Sequence, residues 1–220
     1  MATALGIRRT IEQAVSRQLP QNLARCIGIA ALTAANRPKD ITALVSDALV
    51  HPQQLTVSET SLLVELGRDT IVKVAPMAGF PRAINALGGL LDAIPASAHS
   101  VLVSESRRKV ASMQQFESNR QRGSELFDQI YTKNSKMLRE RLHQYSPDLF
   151  EIIINDQYGK VLSDFTYTNA IETELIAVGA LVPLDVPGQL KGHIKGALNV
   201  GATQEMVDAT LELSKSLTSL

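Results

Sequence analysis

Apolar residues recur along this chain at three- and four-residue steps and almost nowhere alternate, so the pattern predicts helices nearly throughout. It is clearest over residues 173–202, which read as two helices joined by a short turn holding Asp185, Pro187 and Gly188. On the first helix Ile171, Leu175, Val178, Leu181 and Val182 share one stripe, and Glu174 falls inside it. On the second, Leu190, Ile194, Ala197 and Gly201 form the apolar row, with His193 at its edge between Gly192 and Gly196. Both ionisable residues are therefore expected to face the core or a cleft. The stretch FEIIIN at 150–155 is β-like in composition, but Ser146 followed by Pro147 marks a helix start, and 101–103 is too short to be a strand of consequence. The fold class expected is all-α.

Composition narrows the function classes. Lys plus Arg and Asp plus Glu are both 22, giving a formal charge of +0, so no global field favours nucleic acid or an anionic membrane. The single cysteine, Cys26, excludes an internal disulfide and any CxxC site, and its setting in LARCIGIAAL reads as a small buried hydrophobe. The longest strongly apolar run, 175–184, is about half of what a bilayer span requires. A soluble, intracellular protein is expected, cytoplasmic or organellar. The first residues are amphipathic, with Arg8, Arg9 and Arg17 against Glu12, a pattern shared by mitochondrial presequences and by a helix docking through Leu5, Ile11 and Val15. The end, Thr218, Ser219, Leu220, departs at two places from the Ser-Lys-Leu peroxisomal signal and keeps a faint form of it.

An internal repeat organises the chain. Laid without gaps on 174–198, residues 25–49 match at Ile27 with Ile176, Ala31 with Ala180, Leu32 with Leu181, Pro38 with Pro187, Ala48 with Ala197 and Leu49 with Leu198. Arg25 then stands for Glu174 and Leu44 for His193, so the first copy has lost the acid and the imidazole. The expected division is a degenerate first repeat at 1–97, a polar connecting segment at 98–122 and a second repeat at 123–220. Arg107, Arg108 and Lys109 lie in the connector and read as part of a solvated helix or linker. His51, His99 and His143 have no partner visible in sequence and read as surface residues. No phosphate loop, Ser/His/Asp order or metal-spaced His cluster occurs.

The runs ELIAVGAL and QLKGHIKGALNVGATQEMV, with SPDLFEIIINDQYGKVLS upstream, resemble the carboxymuconolactone decarboxylase and alkyl hydroperoxidase D family over roughly residues 123–215. The first half resembles the closing helices of that family at Gly79, Phe80, Pro81, Asn85 and Ala86. In the hydroperoxidase branch a helical Glu precedes a CxxC pair and then a His; the corresponding places after Glu174 hold Val186, Gln189 and His193. Acid and imidazole are present and both thiols are missing, so a peroxidase cycling a CxxC disulfide is not expected.

The resemblance implies an all-α fold built from two related helical repeats and a cofactor-free lyase or isomerase acting on a small carboxylated or lactone substrate. Glu174 and His193 would be the catalytic residues, with Tyr158, Gln189 and Asn199 as substrate contacts and no metal. A carboxylate held out of water has a raised proton affinity, so Glu174 could give or take a proton near neutral pH, with His193 orienting it or sharing the proton. The alternative is a non-catalytic oligomeric binding or structural protein of the same fold, in which the pair is a buried hydrogen-bonded couple. The resemblance further implies a homotrimer or hexamer. The second half, lacking the closing helices before Leu220, is expected to borrow them from the first half or from another subunit.

Overall fold

The computed structural model describes residues 3–219, and the fold is all-α, with no strand among the described residues. Helices α1 (Ala4–Ser16), α2 (Gln21–Ala34), α3 (Pro38–Val50), α4 (Val57–Ala78) and α5 (Phe80–Asp92) make the first half. Then come α6 (Met113–Tyr131), α7 (Ser135–Tyr145), α8 (Pro147–Glu151), which continues as a π-helix over Ile152–Leu162, and α9 (Ala170–Leu181), α10 (Pro187–Asn199) and α11 (Gln204–Ser219). Local sequence explains the ends. Thr56 and Glu59 close a reciprocal capping box on α4, Asn169 and Glu172 do the same on α9, and Ser146 caps α8 by accepting the Leu149 N–H. The FEIIIN stretch is helical, as its cap predicts. From Ile152 its hydrogen bonds widen to the rare π pattern.

Helix α9 is the axle of the main core. Thr173 to Leu181 are all buried, so the helix is enclosed on every side rather than striped, and it packs on α2, α4, α10 and α11. One apolar cluster therefore runs through both halves, joining Ile27, Ile29 and Leu32 to Leu175, Ile176, Val207 and Leu213. A second, smaller cluster of Leu126, Phe127, Ile130, Ile154, Tyr158 and Leu162 lies between α6 and the π-helix. There the backbones touch: a Cβ at Gly123 would sit 2.3 Å from the Gly159 nitrogen.

Two expectations need correction. Helix α1 docks on α11, α2 and α3, but through Ile7, Ile11 and Ala14, while Leu5 and Val15 are exposed. Met1 and Ala2 of the supposed presequence and Leu220 of the terminal tripeptide lie outside the described residues. Within the polar segment at 98–122, α6 starts at Met113 behind the Ser112 cap. Arg107 and Arg108 are not simply solvated; both reach Asp69 on α4 and Asp164 beyond the π-helix.

The two turns aligned by sequence share a backbone signature. Asn36 and Asp185 are both left-handed, with φ of 54° and 53°, and Pro38 and Pro187 each open a 13-residue helix two positions later.

Candidate active site

Glu174 lies near the start of α9, just past its capping box, and its side chain is fully buried. The 3₁₀ turn Val182–Leu184 and the left-handed Asp185 return the chain so that α10 lies against α9. His193 Nδ1 then comes 3.0 Å from Glu174 Oε2. The other carboxylate oxygen, Oε1, is buried and has no hydrogen-bond partner among the described residues. Gly196, one turn beyond His193, makes this approach feasible, since a Cβ there would lie 2.5 Å from Glu174 Oε2 and 2.7 Å from Ile130 Cγ2.

The imidazole lines a pocket of about 530 Å³ with Gln157, Gln189 and Arg82 as its other polar groups and Met77, Leu184 and Val186 among its apolar ones. With Nδ1 engaged by Glu174, the ring nitrogen left for a ligand is Nε2. Burial opposes protonation of His193, but the charge of Glu174 and the hydrogen bond to it outweigh burial and raise its pKa above the usual value. A histidine so favoured adds stability that is complete below its unfolded-chain pKa of about 6.5 and is lost as pH rises through the raised native value. An NMR titration of the imidazole is expected to report a pKa above that of a free histidine in the native protein, and a fall in Glu174→Gln. An unchanged value would show that the carboxylate does not act on the ring.

Behind the histidine stand two tyrosines. The Tyr131 ring meets His193 edge-on at 6.4 Å, and its hydroxyl lies 3.0 Å from that of Tyr158. Burial, joined by the Glu174 charge, pushes Tyr131 up to about 12 and Tyr158 well above its ordinary value, so both stay neutral hydroxyls. Among the residues read from sequence, His193 and Gln189 line one pocket, and Glu174 bonds His193 from outside that lining. Tyr158 is buried behind Tyr131 and outside the pocket lining, and Asn199 spends its amide on the Ile130 carbonyl at 2.7 Å, bracing α10 to α6. Sequence reading missed Tyr131 and Arg82 as members of the site. Arg82 follows directly on the GFP motif of the first half, which is the one signal that pointed to it; with Met77 and Ala78 it brings α4 and α5 to the second half's pocket.

Cys26 is buried on α2, and burial pushes its thiol up to about 12. Iodoacetamide is expected to leave Cys26 unmodified in the native protein and to alkylate it after denaturation, as read by mass spectrometry; rapid native labelling would contradict its burial. Among the described residues no group of three or more His, Cys, Asp or Glu is placed to hold a metal ion.

The fold and site are those of an all-α protein that carries a buried acid–imidazole pair at a pocket lined by both halves of the chain. It is 34% identical over 193 residues to Peroxisomal protein 2 of Schizosaccharomyces pombe, an alignment covering 86% of this chain and 84% of that one. It is 33% identical over 180 residues to Peroxisomal protein 2 of Saccharomyces cerevisiae, covering 74% of this chain and 63% of the relative. The chain belongs to the Peroxisomal protein 2 family. No family model matches it. Among the described residues no helix is long and apolar enough to cross a membrane.

Proposed function

We propose that this protein is a cofactor-free lyase or isomerase of the carboxymuconolactone decarboxylase kind, acting in the peroxisome on a small carboxylated or lactone substrate. The observation that carries this reading is the 3.0 Å contact between Glu174 and His193 at the wall of a pocket that also holds Arg82 and Gln189. In a decarboxylation the bond from carbon to the leaving carboxylate breaks, CO2 departs, and the electron pair stays on the carbon and its conjugated oxygen. His193 Nε2 then delivers a proton to that carbon, while Glu174, bonded to Nδ1, steadies the imidazolium and helps the ring regain its proton. Arg82 supplies positive charge for the anionic substrate and for the oxygen on which charge collects. In an isomerisation the same pair moves one proton between two carbons, with no bond to CO2 broken.

The matching left-handed turns at Asn36 and Asp185, and the Pro-initiated helices after them, support descent of the two halves from one repeat, with the first copy stripped of acid and imidazole. The peroxisomal location rests on the names of the two relatives. Self-association as a trimer or hexamer belongs to the same proposal and is supported by Phe80 and Ile84 on α5, which are 72% and 67% exposed. Reading Glu174 and His193 as a brace for the core does not call for the imidazole to line a pocket. The test is a panel of small lactones and β-keto acids incubated with the wild-type protein and followed by CO2 release and by NMR of the products. Turnover of at least one member, lost in His193→Ala, supports the reading; a panel turned over no faster than in buffer overturns it for these substrate classes.

A further inference from the structure

A second pocket, of about 370 Å³, opens where the segment after α5 folds back beside α6 and the end of the π-helix. It shares no lining residue with the pocket at His193. Its wall carries four cations, Arg107, Arg108, Arg122 and Lys160, and one acid, Asp164. Arg107 and Arg108 both bond Asp69, which is buried behind them, and both approach Asp164, with Arg107 Nε donating at 2.9 Å. Those two carboxylates are not enough. Lys73, fully buried, draws on Asp69 as well, at 3.6 Å, and among the described residues Arg122 donates only to the carbonyls of Ser163 at 3.2 Å and Gly159 at 3.4 Å. Among the described residues Lys160 has no acidic partner. The cluster thus holds several positive charges beyond its two carboxylates in a chain whose formal charge is +0.

The remaining wall suits an anion with a body attached. The Gln115 carbonyl accepts the Ala111 N–H, which leaves its amide NH2 to donate, and Phe165, 47% exposed, gives an apolar flank. A monocarboxylate is satisfied by one guanidinium; forked arginines and a lysine in excess match the several oxygens and higher charge of phosphate. The buried ion pairs to Asp69 fix Arg107 and Arg108, so ordering the cationic wall is already done before a ligand arrives.

We propose that this pocket binds a phosphate-bearing small molecule, its phosphate held by Arg122 and Lys160 in front of the Arg107–Arg108 pair. The site is separate from the proposed chemistry and stands whether or not that chemistry is correct. It is tested by isothermal titration calorimetry of the full chain with sodium pyrophosphate, with inorganic phosphate and sodium acetate in parallel. Arg107 and Arg108 hold buried charge and their variants risk misfolding, so the variants chosen are Arg122→Gln combined with Lys160→Gln, and Lys191→Gln, an exposed lysine outside the pocket, as control.

Saturable pyrophosphate binding that weakens with added salt is expected, falling by about tenfold or more in the double variant and unchanged in Lys191→Gln. Phosphate should bind more weakly than pyrophosphate, and acetate not measurably. Absence of saturable heat with pyrophosphate, acetate binding equal to it, or equal affinity in the double variant with native melting behaviour would each overturn the assignment.

Discussion

Glu174→Gln is expected to lower turnover of whichever lactone or keto acid the protein accepts by about 10²–10⁴-fold, the range a positioned acid–base group supplies, while the chain stays folded. Glutamine has nearly the shape of glutamate, so the contact with Gly196, where there is no room for a Cβ, is preserved. Its carbonyl can still accept from His193 Nδ1, but the negative charge that favours the imidazolium is gone. The loss should fall on kcat with little change in KM, because neither oxygen of Glu174 lies in the pocket wall. A variant with full turnover and a lowered melting temperature would assign the pair to core support alone. Glu174→Ala is the less informative change, since it also opens a cavity beside a helix that is buried on every side from Thr173 to Leu181.

Asp69→Ala is expected to be the most destabilising single change at a polar site, costing about 3–5 kcal/mol in chemical denaturation, because it strands buried charge. Asp69 is 1% exposed and receives Arg107, Arg108 and the Thr168 hydroxyl, with Lys73 at 3.6 Å. Lys73 would keep the Thr168 and Thr173 hydroxyls, at 2.6 and 2.9 Å, and the Thr168 carbonyl at 3.5 Å, none of which carries a charge. Burial already pushes its ammonium down to about 8, against the pull of Asp69, so the lone cation would shed its proton more readily still. Adding Lys73→Met to Asp69→Ala should recover part of the loss, since the double change removes the buried lysine together with its counter-charge. Strict additivity of the two would show that the pair is not coupled.

What the sequence disclosed and what it withheld divide along physical lines. Helix starts were legible because capping is local: Ser146 with Pro147 and Pro187 after the turn announce their helices within a few residues. Glu174 and His193 were legible because an ionisable group in an apolar stripe has few places to go, and they were found bonded. The inward face of α1 was misread because a short amphipathic helix offers two adjacent stripes, and only α11, α2 and α3 decide between Leu5 with Val15 and Ile7 with Ala14. Arg107 and Arg108 read as solvated because their partners, Asp69 and Asp164, are 38 and 57 residues from Arg107 in the chain. Asn199 and Tyr158 carried the right chemistry for ligand contact, but an acceptor on α6 and a hydroxyl on Tyr131 took up their polar ends. The π-helix left no signature in residue type; nothing in its composition separates it from an ordinary turn of helix.

Gly196 carries a consequence for how other chains can be read. The carboxylate meets the ring only because that position has no side-chain carbon, and any methyl placed there lands on the oxygen that makes the bond. A homologue with alanine or a larger residue at this point must swing its acid elsewhere or dispense with it, so one hydrogen atom in place of a methyl marks which members are built to retain the couple.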